Sequence, residues 1–406
     1  MRPRDTAFSF LAPSVRPFGG VATLGILACA LGCTAETAPP SASETAALVT
    51  ADAGSSSSSS YVPPALDLPP PTGIHTVGAT NLYLRDANRA DPWVPSERRE
   101  LMLTIWYPSL VPLGPPAPYV TPAVSAIFVA YAGLSQEPPD LFATIQTHGH
   151  LDAPPLPRWH GLPLIVLSPG IQLPRSSLTA LAEELASRGF VVAAIDHNYE
   201  ALAIQFPDGR ITQCLICQNR PPGPVATASR AADVSFVLDE LLADASAWPY
   251  GWTIDRERVA MVGMSLGGSS TMATMLVDPR VTAGVNLDGP FLPALDQNMS
   301  RPFMMLGRPL SLNESTNATW PDSWPYLTGW RRWLTVDGMD HNSFTDYAVL
   351  FPALGIPLPE QTISGNRVIE ITRKYVVAFA ELHLRNHPEP LLDGPSARYP
   401  EVTFQQ

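Results

Sequence analysis

The chain has 406 residues, 45% of them hydrophobic and only 15% charged, which is enough apolar material to bury a large core. Its formal net charge of −12 repels polyanions and excludes nucleic acid as a partner. There is no phosphate-binding Gly-Lys-Ser/Thr loop, and no dinucleotide fingerprint follows the first strand, so no cofactor is expected.

Residues 1–33 read as a targeting segment outside the fold. Arg2, Arg4 and Arg16 precede an apolar stretch over residues 21–31 that is too short to span a bilayer. Leu31-Gly32-Cys33 after Ala30 resembles a bacterial lipobox with its leucine shifted by one position. Two readings follow: Cys33 becomes a lipidated first residue that anchors the protein to a membrane without a spanning helix, or it is discarded with the leader. Both predict an exported protein, either a bacterial-type cell-envelope lipoprotein or a secreted one. Residues 34–70 are low-complexity, with a serine run over 55–60, and read as a flexible Ser/Ala/Pro tether that cannot bury enough apolar surface to order itself.

From residue 71 to 406 a single domain is expected. Strand patterns alternate with helical ones such as 178–188 and 230–242, the alternation of an α/β fold with a mostly parallel central sheet flanked by helices. Two stretches look inserted, and either is placed to cover a site as a lid. The first, residues 112–160, is Pro-rich and carries Phe128, Tyr131, Phe142 and Trp159; the second is residues 198–228. His148 and His150 lie in the first and read as solvated loop residues, and no metal is expected since the histidines do not fall at ligand spacing. His197, at the end of a strand over 190–195, is expected near the mouth of a site by strand-end geometry, with no role assigned. Cys214 and Cys217 have no second pair with which to hold zinc, and in an exported chain they read as a local disulfide.

Gly263-Met264-Ser265-Leu266-Gly267 is the most informative segment. It follows an apolar run over 259–262 and opens a small-residue helix over 267–275, so G-x-S-x-G here places a serine hydroxyl on a sharp strand-to-helix turn. Ser265 is the candidate nucleophile. The flanking glycines let strand and helix approach closely. A serine hydroxyl needs a base, and the base an orienting acid; in this architecture they follow the serine in the order acid, then histidine. Asp288 ends the next strand, over 282–287, and is preferred as the acid over Glu314, which lies beyond the strand over 303–306. Trp320, Trp324, Trp330 and Trp333 then cluster, Trp333 as core and the others as packing or as the wall of an acyl or aromatic-ester pocket. His341 follows an apolar stretch over 333–336 and a turn, and is the candidate base. His383 and His387 lie in or just past a helical pattern over 367–385 and read as helix surface. The amide of Leu266, next after the nucleophile, is a candidate oxyanion donor.

These residues carry a resemblance to the α/β-hydrolase family of platelet-activating-factor acetylhydrolases of the plasma or group VII phospholipase A2 type, with their bacterial esterase and lipase relatives. It begins near Thr76-Val77-Gly78-Ala79-Thr80 and continues through Leu103-Thr104-Ile105-Trp106-Tyr107-Pro108 and the 162–170 strand and turn. Residues 254–259 then lead into the elbow, and Asn286-Leu287-Asp288 and the stretch from His341 to Asp346 complete the match. The resemblance implies an α/β-hydrolase fold and supports Asp288, whose spacing from Ser265 is similar to the family's. It also implies the Ile171 amide as second oxyanion donor, although Pro169 stands where the animal enzymes have a histidine. The function implied is that of a serine carboxylic ester hydrolase acting on short-acyl lipid esters, similar to 1-alkyl-2-acetylglycerophosphocholine esterase, with an ester or phospholipid as substrate. A broad lipase or cutinase-like polyester hydrolase, and a non-catalytic surface lipoprotein, are the alternatives.

Overall fold

A computed structural model describes residues 66–157, 161–309 and 319–405, all within the unit Pro63–Gln406. The targeting segment, Cys33, the serine run, Trp159 and Glu314 lie outside the described residues.

Twelve strands occur among these residues: β1 (Thr76–Ala90), β2 (Arg98–Ser109), β3 (Gly149–Leu151), β4 (Leu162–Ser168), β5 (Val191–His197), β6 (Ile204–Gln205), β7 (Ile211–Thr212), β8 (Ile254–Met264), β9 (Val281–Leu287), β10 (Phe303–Gly307), β11 (Arg331–Val336) and β12 (Val402–Phe404). All but β6 and β7 join one sheet in the order β12-β11-β10-β9-β8-β4-β5-β2-β1-β3. Its six middle strands, β11 through β5, run parallel. β12 and the β1–β2 hairpin add antiparallel flanks, and β3 lies parallel to β1 at the edge. This is the α/β-hydrolase fold: a large, mostly parallel sheet flanked by helices.

The helices are α1 (Pro122–Tyr131), α2 (Thr179–Ser187), α3 (Ile216–Asn219), α4 (Gly223–Leu242), α5 (Leu266–Val277), α6 (Trp320–Ser323), α7 (Tyr347–Ala353) and α8 (Gly365–Arg385). Successive strand residues point to opposite faces, and the core divides accordingly. Ile165, Leu167, Val192 and Val262 pack on one face with α2, α7 and α8, whereas Leu164, Val166, Ala193 and Met261 pack on the other with α4 and α5. Strands buried on both faces read as continuous apolar runs, which is why the sequence shows them so clearly.

Some expectations change. The packed chain begins before residue 71: Leu66 and Leu68 are buried in the main core and Asp67 bridges to Gln146, so the end of the expected tether is part of the domain. Residues 112–157 are packed into the domain rather than loosely inserted, and Tyr131 at the end of α1 accepts from Gln172 Nε2 at 2.8 Å. Tyr119, Val124, Phe128 and Phe142 belong to the main core, and β3 extends the sheet. Helix α4 starts earlier than the pattern from 230, because Pro224 falls in its first turn, where a missing N–H costs nothing.

His383 is half-buried rather than displayed on the surface of α8. Its ring packs on Trp330 and Phe379, with centroids 4.4 and 4.7 Å away, and its Nε2 is buried without a hydrogen-bond partner. Burial, helped by the Arg332 charge, lowers its pKa from 6.5 to about 4. The unfolded chain therefore takes up this proton near pH 6.5, while the folded chain resists until about pH 4, and stability falls as pH drops through that window. Allowing for the ring's partial exposure, the loss is about 1–2 kcal/mol. His383→Leu will flatten that part of the stability profile in urea unfolding at stepped pH; an unchanged slope would refute the assignment.

Candidate functional site

The three candidate triad residues come to one edge of the sheet. Ser265 follows the last residue of β8, Asp288 the last of β9, and His341 lies on the loop beyond β11. The strand ends are in register: Met264 opposes Leu287, Leu287 opposes Leu306, and Leu306 opposes Leu334.

Ser265 has φ 54° and ψ −118°, a conformation that L-residues rarely adopt and that costs on the order of 1–3 kcal/mol. The surroundings hold it there. Its N–H donates to Leu287 O at 2.8 Å, and its own carbonyl accepts from Ser269 N–H at 3.1 Å in the first turn of α5. A Cβ on Gly263 would run into the Gly267 carbonyl, and one on Gly267 into the Ser168 carbonyl, so close approach of strand, helix and neighbouring strand demands both glycines. The Ser265 hydroxyl does not cap the helix it begins.

Asp288 is fully buried and also has a positive φ, 54°. His341 Nδ1 lies 2.6 Å from Asp288 Oδ2. A histidine that donates from Nδ1 to a carboxylate presents Nε2 as its acceptor. The ring is set by a 3-10 turn, His341–Phe344, capped by Asp340, whose carboxylate accepts from Asn342 N–H at 3.0 Å while Ser343 Oγ accepts from Asp340 N–H at 2.8 Å. Burial alone would raise the Asp288 carboxyl. The His341 hydrogen bond and charge, with the Arg308 charge and backbone N–H, outweigh it and hold the group below the usual carboxylate range.

Arg308 belongs to no motif in the sequence. Its Nε donates to Asp288 Oδ2 and its backbone N–H to Asp288 Oδ1, both at 2.9 Å, and its guanidinium also pairs with Glu360. An arginine just past a strand end is the only local signal for it.

The oxyanion candidates also converge. Leu266 is the first residue of α5, where backbone N–H groups have no helical acceptor. Beyond β4, Gln172 N–H donates to Glu200 O at 2.8 Å and Leu173 N–H to Gly170 O at 3.3 Å, whereas Ile171 N–H takes no backbone acceptor among the described residues. A Cβ placed on Gly170 would lie 3.3 Å from Ser265 Cβ, which sets this turn beside the nucleophile. The Pro169 carbonyl, at the start of this turn, accepts from Arg230.

Cys214 and Cys217 are joined as a disulfide. They share an apolar cluster with Ile171, Leu266, Trp93 and Leu292, so residues 198–228 wall the oxyanion side. The tryptophans pack instead: Trp320 is fully buried with Nε1 2.6 Å from Gly289 O, and Trp324 and Trp320 both lean on Trp333. His197 is not at the mouth but sealed, 2% exposed. His148 is held by Glu183, 3.3 Å away, and His150 lies in β3. Among the described residues no cluster of three metal-binding side chains occurs, and no helix is long and apolar enough to cross a membrane.

Comparison with known proteins gives consistent matches. The sequence profile of the family described as platelet-activating factor acetylhydrolase, isoform II, matches residues 142–207 and 251–390, about half of the chain. The chain is similar to a probable 1-alkyl-2-acetylglycerophosphocholine esterase of Arthroderma benhamiae, 27% identical across 60% of this chain and 66% of that protein, just under two thirds of its length. It is 24% identical to a platelet-activating factor acetylhydrolase of Canis lupus familiaris across 78% of this chain and 77% of the relative. Among solved structures, a ferulic acid esterase from Streptomyces cinnamoneus is 40% identical with a TM-score of 0.77, covering 84% of this chain and 99% of the other.

Proposed function

The chain belongs to the platelet-activating factor acetylhydrolase, isoform II, family, and from that premise we propose that it is a serine carboxylic ester hydrolase acting on short-acyl lipid esters. The observation that carries the mechanism is the His341–Asp288 hydrogen bond at the sheet edge where the elbow holds Ser265. His341 Nε2 takes the Ser265 proton as Oγ attacks the ester carbonyl. The Leu266 and Ile171 amides receive the charge that develops on the carbonyl oxygen. His341 returns the proton to the departing alkoxide, then activates the water that releases the acid. Asp288 holds the imidazole tautomer throughout, and Arg308 fixes Asp288.

A second reading, an ester with an aromatic acid, is favoured by the ferulic acid esterase likeness. The wall of Trp93, Leu292 and the disulfide suits either a short acyl chain or a ring. Purified full-length protein assayed on nitrophenyl esters of increasing acyl length, an sn-2 acetyl phospholipid and methyl ferulate will turn over the acetyl substrates fastest. Preference for methyl ferulate would move the assignment to an aryl esterase, and no turnover by folded protein to a binding role.

The sequence of residues 1–65 supports export, with 1–33 as the leader, Cys33 lipidated or discarded, and the low-complexity stretch from 34 to 65 as a tether to the domain. The mass of the mature N-terminus distinguishes the forms: a diacylglyceryl-modified Cys33 gives the lipoprotein, an unmodified downstream residue the secreted form, and an intact Met1 refutes export.

A further inference from the structure

Behind the candidate oxyanion turn lies a second Ser, His and Asp in hydrogen-bond order, none of them among the candidates above. Ser168 Oγ is 3.0 Å from His197 Nε2, and His197 Nδ1 is 2.7 Å from Asp233 Oδ2. The arrangement is that of a nucleophile, base and acid, yet Ser168 and Asp233 are 0% exposed and His197 only 2%. No substrate reaches it, so nucleophilic chemistry is excluded there.

Its surroundings are charged. Arg99 donates to both oxygens of Asp233, at 3.0 and 2.6 Å, to Asp91 at 2.9 Å and to Glu200 Oε1 at 3.1 Å. Arg230 Nε donates to Glu200 Oε2 at 2.7 Å. Its other arm reaches Ser168 Oγ at 3.3 Å and the Pro169 carbonyl. Burial and the Arg230 charge hold His197 below its ordinary pKa despite the Asp233 bond, so the ring is neutral, with Nδ1–H on Asp233 and Nε2 accepting from the Ser168 hydroxyl. Each bond thus has a donor and an acceptor.

Such a buried network is poor evidence of stabilisation, because desolvating five charged side chains offsets much of what their pairing contributes. What it does determine is position. Ser168 and Pro169 are the residues whose peptides lead into Gly170 and Ile171. Arg230 fixes the Pro169 carbonyl, and the backbone of Glu200 holds Gln172 N–H on the far side of Ile171. Leu202 N–H then donates to Gln172 O at 2.9 Å. The single peptide between these two clamps carries the Ile171 N–H.

We propose that Ser168, His197, Arg230 and Glu200 are positioning residues that aim the Ile171 N–H at the oxyanion. This rests on the reading of that amide as an oxyanion donor. An oxyanion hole contributes only if its donors are preorganised, and misplacement by about 1 Å is enough to lose much of the effect. The residues that hold the turn therefore influence kcat without touching substrate.

The test compares full-length wild type, Ser168→Ala and Arg230→Lys, with Ser265→Ala as the blank. The readouts are kcat and KM on nitrophenyl acetate, thermal unfolding, and the affinity of an alkyl trifluoromethyl ketone, whose adduct with the serine places an oxyanion in the hole. The expected result in each folded variant is a fall in kcat of about 10-fold or more, KM within about 3-fold, and ketone affinity weakened in step with kcat. Folded variants with kcat within two-fold of wild type, or with reduced kcat but undiminished ketone affinity, overturn the proposal. Ser168→Ala removes only one oxygen and decides the matter if Arg230→Lys does not fold. Ketone affinity is read even if no ester is turned over, so failure of the hydrolase assignment and failure of this proposal are separate results.

Discussion

Ser265→Ala will abolish ester turnover while leaving the fold intact. If Ser265 is the nucleophile proposed above, its loss costs on the order of 10⁶-fold in kcat, because no group remains to form the acyl-enzyme. The residue left behind still gains from the same backbone clamps, since Ser265 N–H to Leu287 O and Ser269 N–H to Ser265 O are main-chain bonds. The side-chain hydroxyl caps no helix, so its removal withdraws no structural bond there. Melting temperature should therefore hold while turnover vanishes. Residual serine-independent turnover near the wild-type rate would refute the nucleophile, and unfolding would show that the hydroxyl has a structural role that its surroundings do not reveal.

Asp288→Asn will lower kcat by about 10⁴-fold, with KM nearly unchanged, through the histidine rather than through substrate. Asp288 Oδ2 receives both His341 Nδ1 and Arg308 Nε, while Oδ1 receives Arg308 N–H. All three partners are donors, and a carboxylate accepts at both oxygens whereas an amide accepts at only one. If the asparagine NH₂ faces His341, the imidazole must carry its proton on Nε2 and cannot take one from serine. If the amide turns over, its NH₂ faces the Arg308 backbone N–H, which loses its carboxylate acceptor at a cost of about 1–3 kcal/mol. In the first arrangement the NH₂ also faces Arg308 Nε, which loses its carboxylate acceptor, so both arrangements predict a lower melting temperature; the first adds a large loss in kcat, the second a smaller one. Unchanged kcat in both respects would remove Asp288 from the mechanism and reopen the choice of acid.

The parts of the molecule legible in the sequence are those with a short-range cause. The elbow was visible because its steric demand falls on five consecutive residues, with Gly263 and Gly267 flanking Ser265. The middle strands were visible because burial on both faces leaves an uninterrupted apolar run, as in β4 and β10. Asp288 and His341 could be named from their order after the serine and their places beyond strand ends. The disulfide followed from two cysteines close in sequence with no other partners for zinc.

What escaped had causes spread along the chain. The extent of β1 is hidden in the sequence because exposed Asn81, Arg85 and Asn88 interrupt its buried residues, leaving no continuous apolar run. His383 reads as helix surface by periodicity, and only the arrival of Trp330 from the strand region makes it half-buried. His197 sits at a strand end, where ligands gather, yet it faces inward onto Ser168 and Asp233. Arg99, Glu200, Arg230 and Arg308 are ordinary charged residues in sequence. Nothing local marks a guanidinium that will be desolvated against carboxylates far along the chain.

The middle strands, the elbow and the order of the three candidate groups are legible from the residues alone, because hydrophobic periodicity, glycine sterics and chain order act over a few residues and need no partner. What supports them comes from the fold. That Arg308 braces Asp288, that Leu66 and Leu68 carry the core into the end of the expected tether, and that a sealed Ser168–His197–Asp233 array stands behind the turn at Ile171 are matters of burial and pairing. The free energy of a charge or a ring depends on what the fold brings within a few ångströms of it, and that distance is not written in sequence separation.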